Sequence, residues 1–263
     1  MPNGKYSVQN QHVRDIVCDR IISGEIKPGA QISEKELARD IGCSIVPVRE
    51  ALGHLVAWGV LEKVPHVGTF ARQLTPREMM AHADFRLVIY TYAVGRTAID
   101  TDFAALADLE AALATYEDNL RAGVGRDWDS APESDWTAYI TTAIKDLQKA
   151  YAAIVRTAGL TAVWSAYEQE DLLYILSTRQ FWSVLHRVPM LAYIQESFLD
   201  HPLSCFIPAI QAGDSAKAQE LHQQQYRAAT RNLMSRLAAV GLELPADGRF
   251  LGCANIVFDF EPE

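Results

Sequence analysis

Ser33-Glu-Lys-Glu-Leu-Ala-Arg-Asp-Ile-Gly42, followed by Cys43-Ser-Ile-Val-Pro-Val-Arg-Glu-Ala-Leu-Gly-His-Leu-Val-Ala-Trp58, is the stretch on which the fold of this chain turns. Ser33 with Glu36 three residues on is a capping box, which opens a short helix to about Asp40. Ile41-Gly42-Cys43-Ser44 is a tight turn, and Ser44 stands where it can cap the next helix. That helix is expected from Ser44 to Trp58, with Val48, Leu52, Leu55 and Val56 inward and Ile45, Val46 and Arg49 outward near its start. A helix, a short glycine-bearing turn and a second helix make a helix-turn-helix, whose second helix fits a major groove and presents its first turn to base edges.

Working outward, residues 11–23 form an amphipathic segment with Val13, Ile16, Val17 and Ile21 as its inward stripe, and Pro28-Gly29 turns the chain. Downstream, residues 59–64 and 68–71 read as two short strands joined by Pro65-His66-Val67, a wing able to reach flanking phosphates or the minor groove. The net charge of −9 argues at first against nucleic acid. Its distribution reverses that view: residues 1–72 hold nine Lys/Arg against eight Asp/Glu, whereas residues 73–263 hold fifteen against twenty-five.

Beyond residue 70 the composition turns to Ala, Leu, Glu and Arg, as helices prefer. Thr75-Pro76-Arg77-Glu78 marks the seam, a capping box with Pro at the first helical position. Helical spacing predicts helices over 76–99, 102–121, 134–158, 160–178, 180–199, 202–212 and 214–239, with 123–134 the least regular connection. No alternating apolar and polar run long enough for a sheet interrupts them. The expected fold is mainly α. A winged helix-turn-helix domain with a small β wing (1–72) precedes an all-α antiparallel helical bundle (76–240) and a tail (241–263), apolar near its end, that the pattern does not place.

With 49% hydrophobic and 22% charged residues, the 263-residue chain has globular composition. No apolar run reaches the ~18 residues of a membrane span. The amino terminus lacks an apolar stretch of signal-peptide length, so a cytoplasmic location is expected. Cys18, Cys43, Cys205 and Cys253 are far apart and read as reduced thiols, with neither a zinc cluster nor a disulfide scaffold signalled.

Val13-Arg-Asp-Ile16, Ile22-Ser-Gly-Glu-Ile-Lys-Pro-Gly29, Ile32-Ser-Glu-Lys-Glu-Leu-Ala38, Ile41-Gly42, Pro47-Val-Arg-Glu-Ala-Leu52, Gly59-Val-Leu61 and Gly68-Thr-Phe70 resemble, without a gap, the DNA-binding domain of the GntR family of bacterial transcription regulators. The resemblance implies operator recognition by a homodimer. Lys35 and Arg49 match basic positions that contact DNA, His66 and Gly68 match the wing tip, and Ser44, Ile45 and Val46 open the recognition helix. Ile45 departs from the family pattern, since many members carry Arg or another polar residue there. Base readout at that position is then apolar, for example against a thymine methyl, and more of the specificity falls to Arg49.

The remainder resembles the FadR branch of that family, whose FCD domain is an antiparallel bundle binding a small effector. Tyr151-Ala-Ala-Ile-Val-Arg-Thr-Ala-Gly159 and Ala209-Ile-Gln-Ala-Gly-Asp-Ser-Ala-Lys-Ala218 carry that likeness. Many FCD domains hold a divalent metal through one Asp and three His. Here Tyr151 stands at the first His, Leu147 at the Asp with Asp146 one residue out of phase, Gln225 at the third His, and His201 is nearest the middle one. Tyr and Gln are poor ligands, so a family-type metal site is not expected. Asp146, His201 and His222 remain the set for an irregular one.

A metal-free pocket in that place would draw its polar groups from Arg86, Tyr90, Tyr151, His201, His222 and Gln225. Arg86 matches a family Arg whose usual acidic partner is replaced by Tyr90. Either Arg86 favours an anionic ligand, or it pairs with another acid and the tyrosines are core. The expected function is a ligand-responsive, DNA-binding transcription regulator and not an enzyme. The alternatives are a metal-dependent carboxylate sensor of the same family and, more distantly, a helical metal-dependent enzyme with a winged-helix partner module. Against the last, no phosphate loop, nucleophile elbow or H-E-x-x-H is present.

Overall fold

The computed structural model describes residues 4–160, 172, 173, 176, 179, 180 and 187–241. They group into two compact units, one built by the chain up to Leu74 and joined by Arg179 and Gln180, the other beginning at Thr75.

In the first unit, helix α1 (Gly4–Ser23) starts earlier than the apolar spacing alone indicates. Its buried stripe is Val13, Val17, Ile21 and Ile22, with Ile16 half-buried. Strand β1 (Gln31–Ile32) is two residues long, too short for any periodicity to reveal. Helix α2 (Glu34–Ile41) is capped by the Ser33 hydroxyl, which accepts from the Glu36 amide at 3.3 Å. Gly42 ends it at φ 74°, a left-handed conformation that a Cβ would strain, and its N–H donates to the Ala38 carbonyl.

Helix α3 (Ile45–Ala57) buries Pro47, Val48, Ala51, Leu52 and Leu55, and packs on α1 and α2. Val56 is only half-buried. Strands β2 (Leu61–Val64) and β3 (Gly68–Ala71) pair antiparallel with Leu61 opposite Ala71 and Val64 opposite Gly68, and β1 adds to the other edge of β3. Tight wings need a left-handed residue, and His66 supplies it at φ 62°. The Gln31 side chain steadies the wing tip by donating to the Val67 carbonyl at 3.0 Å.

The second unit holds helices and no strand among its described residues. The expected capping box is formed at helix α4 (Pro76–Ile99): the Glu78 amide donates to Thr75 Oγ1 and the Thr75 amide to Glu78 Oε2. Asp102 caps α5 (Phe103–Val124), which packs along α6 (Glu133–Thr157). The connection between them, expected to be irregular, is pinned by Trp128, which is 4% exposed, donates Nε1–H to the Gly123 carbonyl at 2.7 Å and meets the Trp136 and Tyr139 rings.

Helix α7 (Arg187–Ile194) runs into one π turn (Gln195–Leu199) where an unbroken α-helix is expected from the spacing. A 3-10 turn (Leu203–Phe206) leads into the short helix α8 (Ile207–Gln211). Gly213 at φ 72° and the Asp214 cap start α9 (Ser215–Ala239), the stop-and-restart device read from Ala209–Ala218. Helix α4 packs on α6 and α9, so the three helices share one core. The tail from residue 242 and most of the helices expected over 160–186, with Trp164, Tyr167, Tyr174, Phe181 and Trp182, lie outside the described residues. Among the described residues, no helix is long and apolar enough to cross a membrane.

Candidate nucleic-acid interface and buried polar cluster

Burying Val48, Leu52 and Leu55 on one side of α3 rotates the opposite side outward. Val46 is 50% exposed there and the Arg49 side chain 63%. Ile45 is half-buried. Ser44 occupies the N-cap position in extended conformation, but its hydroxyl makes no capping hydrogen bond. That corrects the expectation that it caps α3. The first turn also lacks any acidic residue, so the α3 amino terminus keeps its partial positive charge for an anion such as a phosphate.

Lys35 is exposed on the first turn of α2, and His66 is exposed on the wing while Gly68 is half-buried. A groove of about 690 Å³ between the wing and the start of α2 is lined by charges of both signs, Glu34 and Glu36 against Lys63. Arg49 is not an isolated cation. Its Nε donates to Glu34 Oε2 at 3.1 Å, and Nη2 lies 3.0 Å from the same oxygen. Glu34 was missed in the sequence because the pairing bridges two helices, and only the adjacent capping motif hinted at an ordered first turn.

In the second unit, five of the six expected polar groups are buried: Arg86 (α4), Tyr90 (α4), Tyr151 (α6), His222 and Gln225 (α9). The Tyr90 and Tyr151 rings stack at 4.0 Å, and the Arg86 guanidinium carbon lies 4.9 Å and 4.6 Å from their centroids. These are cation–π distances. Tyr90, Phe206 and Tyr226 surround the His222 imidazole. Burial, with Arg86 adding repulsion, lowers His222 to about 3, so the ring is neutral at physiological pH.

His222 Nδ1 lies 3.1 Å from Thr91 Oγ1. The neutral ring pairs with the Thr91 hydroxyl in either tautomer, the hydroxyl donating to Nδ1 or accepting from Nδ1–H. His222 Nε2 is buried without a hydrogen-bond partner. Gln225 donates its amide to the Ser197 carbonyl of the π turn at 3.1 Å, and its Oε1 is likewise buried and unpartnered. Two polar atoms three residues apart on one helix, His222 Nε2 and Gln225 Oε1, are thus unsatisfied, which a small polar ligand or an ordered water would relieve. Thr91 and Ser197 complete this arrangement and were not anticipated, because nothing in the spacing links residues 131 and 28 positions away.

His201 departs from expectation. It is exposed on the turn after the π segment, because the buried position in that turn is Leu203. Asp146 is buried but engaged: it accepts from Asn119 Nδ2 at 2.6 Å and from Lys149 Nζ at 3.0 Å. Asp146, His201 and His222 therefore do not converge, and no group of three His, Cys, Asp or Glu able to hold a metal occurs among the described residues. Cys18, Cys43 and Cys205 form no disulfide, and burial pushes the Cys18 thiol up to about 12 and Cys205 to about 11, far from thiolate chemistry.

The gntR family model of bacterial regulatory proteins matches residues 9–71. Over 74 residues, 28% of this chain, the sequence is 40% identical to the probable D-xylose utilization operon transcriptional repressor of Paenarthrobacter nicotinovorans, and over 105 residues it is 32% identical to the gluconate operon transcriptional repressor of Bacillus licheniformis. The chain spans 33% and 43% of those proteins' lengths. Both are repressors and not enzymes. The fold of the described chain is similar to that of McbR/YncC of E. coli, with a TM-score of 0.67 and 18% identity over 86% of this chain and 97% of that one. Residues 9–71 of this chain are therefore similar to the DNA-binding domain of the gntR family of bacterial regulatory proteins.

Proposed function

We propose that the chain is a ligand-responsive, cytoplasmic transcription regulator that binds operator DNA as a homodimer through residues 1–72 and senses a small effector in residues 76–240. The observation that carries the DNA reading is the face of α3, where Val46 and Arg49 point outward beside an uncapped helix amino terminus free of acid. Ser44, Ile45 and Val46 approach the backbone and base edges, Arg49 reads a base, and Lys35, His66 and Gly68 contact phosphates and the flanking groove. The −10 balance of residues 73–263 repels DNA elsewhere and confines contact to this face.

The effector site is the cluster of Arg86, Tyr90, Tyr151, His222 and Gln225. Its buried cation supports an anionic effector, with His222 Nε2 and the Gln225 Oε1 acceptor as further polar contacts. The site works without metal, because the residues at the family's ligand positions are Tyr151 and Gln225. An effector acts as a switch by binding more tightly to one arrangement of the two recognition helices, which must reach half-sites about one DNA turn (~34 Å) apart.

Native mass spectrometry with elemental analysis on the purified chain tests both halves. A metal-free dimer holding a co-purified small acid is the expected result. A stoichiometric transition metal would restore the carboxylate-sensor alternative, and a monomer at micromolar concentration would remove the dimeric mechanism.

A further inference from the structure

Arg49 is held by one edge only. Nε and Nη2 both face Glu34 Oε2, and among the described residues no other hydrogen bond or ion pair engages Arg49. Nη1 and the second Nη2 hydrogen, the far end of the fork, are left for another partner, and the side chain is 63% exposed while that of Glu34 is 30% exposed. Resting on the DNA reading above, we propose that Glu34 is a positioning residue for base recognition. It grips the Nε–Nη2 edge so that Arg49 offers its two terminal nitrogens to the O6 and N7 acceptors of one guanine.

An Arg that reaches a base from solvent must give up rotamer freedom as it docks, whereas one already clamped has given it up in the unbound protein. The clamp opposes affinity in another way. A carboxylate on the DNA-facing surface meets phosphate repulsion on every duplex, whatever its sequence. Glu34 therefore trades general affinity for discrimination.

The test uses the full chain. Duplexes with a randomised segment are enriched on the wild-type protein, the guanine that depends on Arg49 is located with Arg49→Ala, and titrations compare that site with its guanine-to-adenine replacement and with random duplex. Glu34→Ala should lose about tenfold of the guanine preference, the scale of one bidentate contact, while binding random duplex more tightly. Glu34→Asp keeps the helix-terminal charge but falls one methylene short of Arg49, so it should lose the preference too. Glu34→Gln can still accept from Arg49 and should keep most of it.

This pattern separates reach from charge and from helix stability. Wild-type preference in both Glu34→Ala and Glu34→Asp, or a change confined to a cytosine position, would overturn the proposal. Failure of the wild-type protein to enrich any sequence would instead sink the DNA reading on which it rests.

Discussion

Arg49 and His222 show how one side chain acquires its role from what surrounds it. Arg49→Ala removes the exposed cation of α3, and a gel shift should show operator affinity lower by about 1–3 kcal/mol with little change on random duplex. His222 is a neutral ring because it is buried beside Arg86, and that neutrality carries a pH dependence. The folded ring sits near 3 and the unfolded one near 6.5, so as pH falls the unfolded chain takes its proton first. This contribution to stability is complete above pH 6.5 and is lost progressively toward pH 3, at most about 1.4 kcal/mol per pH unit. In thermal melts between pH 7 and 5, the wild-type Tm should fall faster than that of His222→Gln. Parallel curves would contradict the neutral assignment.

Among the elements, the α5–α6 hairpin depends on a connection that composition marks as irregular. Arg126-Asp127-Trp128 lacks helical spacing, yet Trp128 is buried against Trp136 and Tyr139. Trp128→Ala should cost about 3–5 kcal/mol in urea unfolding, as large core truncations do. A cost under 1 kcal/mol would mean that the cluster is peripheral to the core. The start of α4 is a smaller case. Its capping box satisfies two backbone groups, so Thr75→Ala should cost about 1 kcal/mol by the same measurement. The π turn at Gln195–Leu199 is the clearest departure from expected helical continuity, and it brings the Ser197 carbonyl to Gln225. Single-turn π segments of this kind recur at functional sites.

For the molecule as a whole, the charge division matters more than the net charge. Under the proposed DNA reading, a chain at −9 binds through a module that is nearly neutral, so specific geometry must outweigh general attraction. Under the proposed dimer, the spacing of the half-sites is a rigid requirement. Inserting about five base pairs, near half a helical turn, between them should weaken binding at least tenfold in a gel shift. Unchanged affinity would mean that each chain binds alone.

The amino-acid sequence by itself determined the helix-turn-helix, the wing and the helical class of the remainder. The deciding signals are local: Ser33 and Glu36, Gly42, the Thr75 capping box and the Gly213-Asp214 restart act within a few residues, where caps and left-handed glycines set the backbone directly. The buried candidates Arg86, Tyr90, Tyr151, His222 and Gln225 were reachable through family resemblance, while their mutual contacts were not. Tertiary structure alone decided that Glu34 holds Arg49, that Thr91 meets His222, that Asp146 is taken by Asn119 and Lys149, and that His201 faces outward. The pairings between helices depend on the rotational phase of elements packed against one another. A shift of one residue turns a helix by about 100°, enough to move a side chain from a buried cluster to solvent.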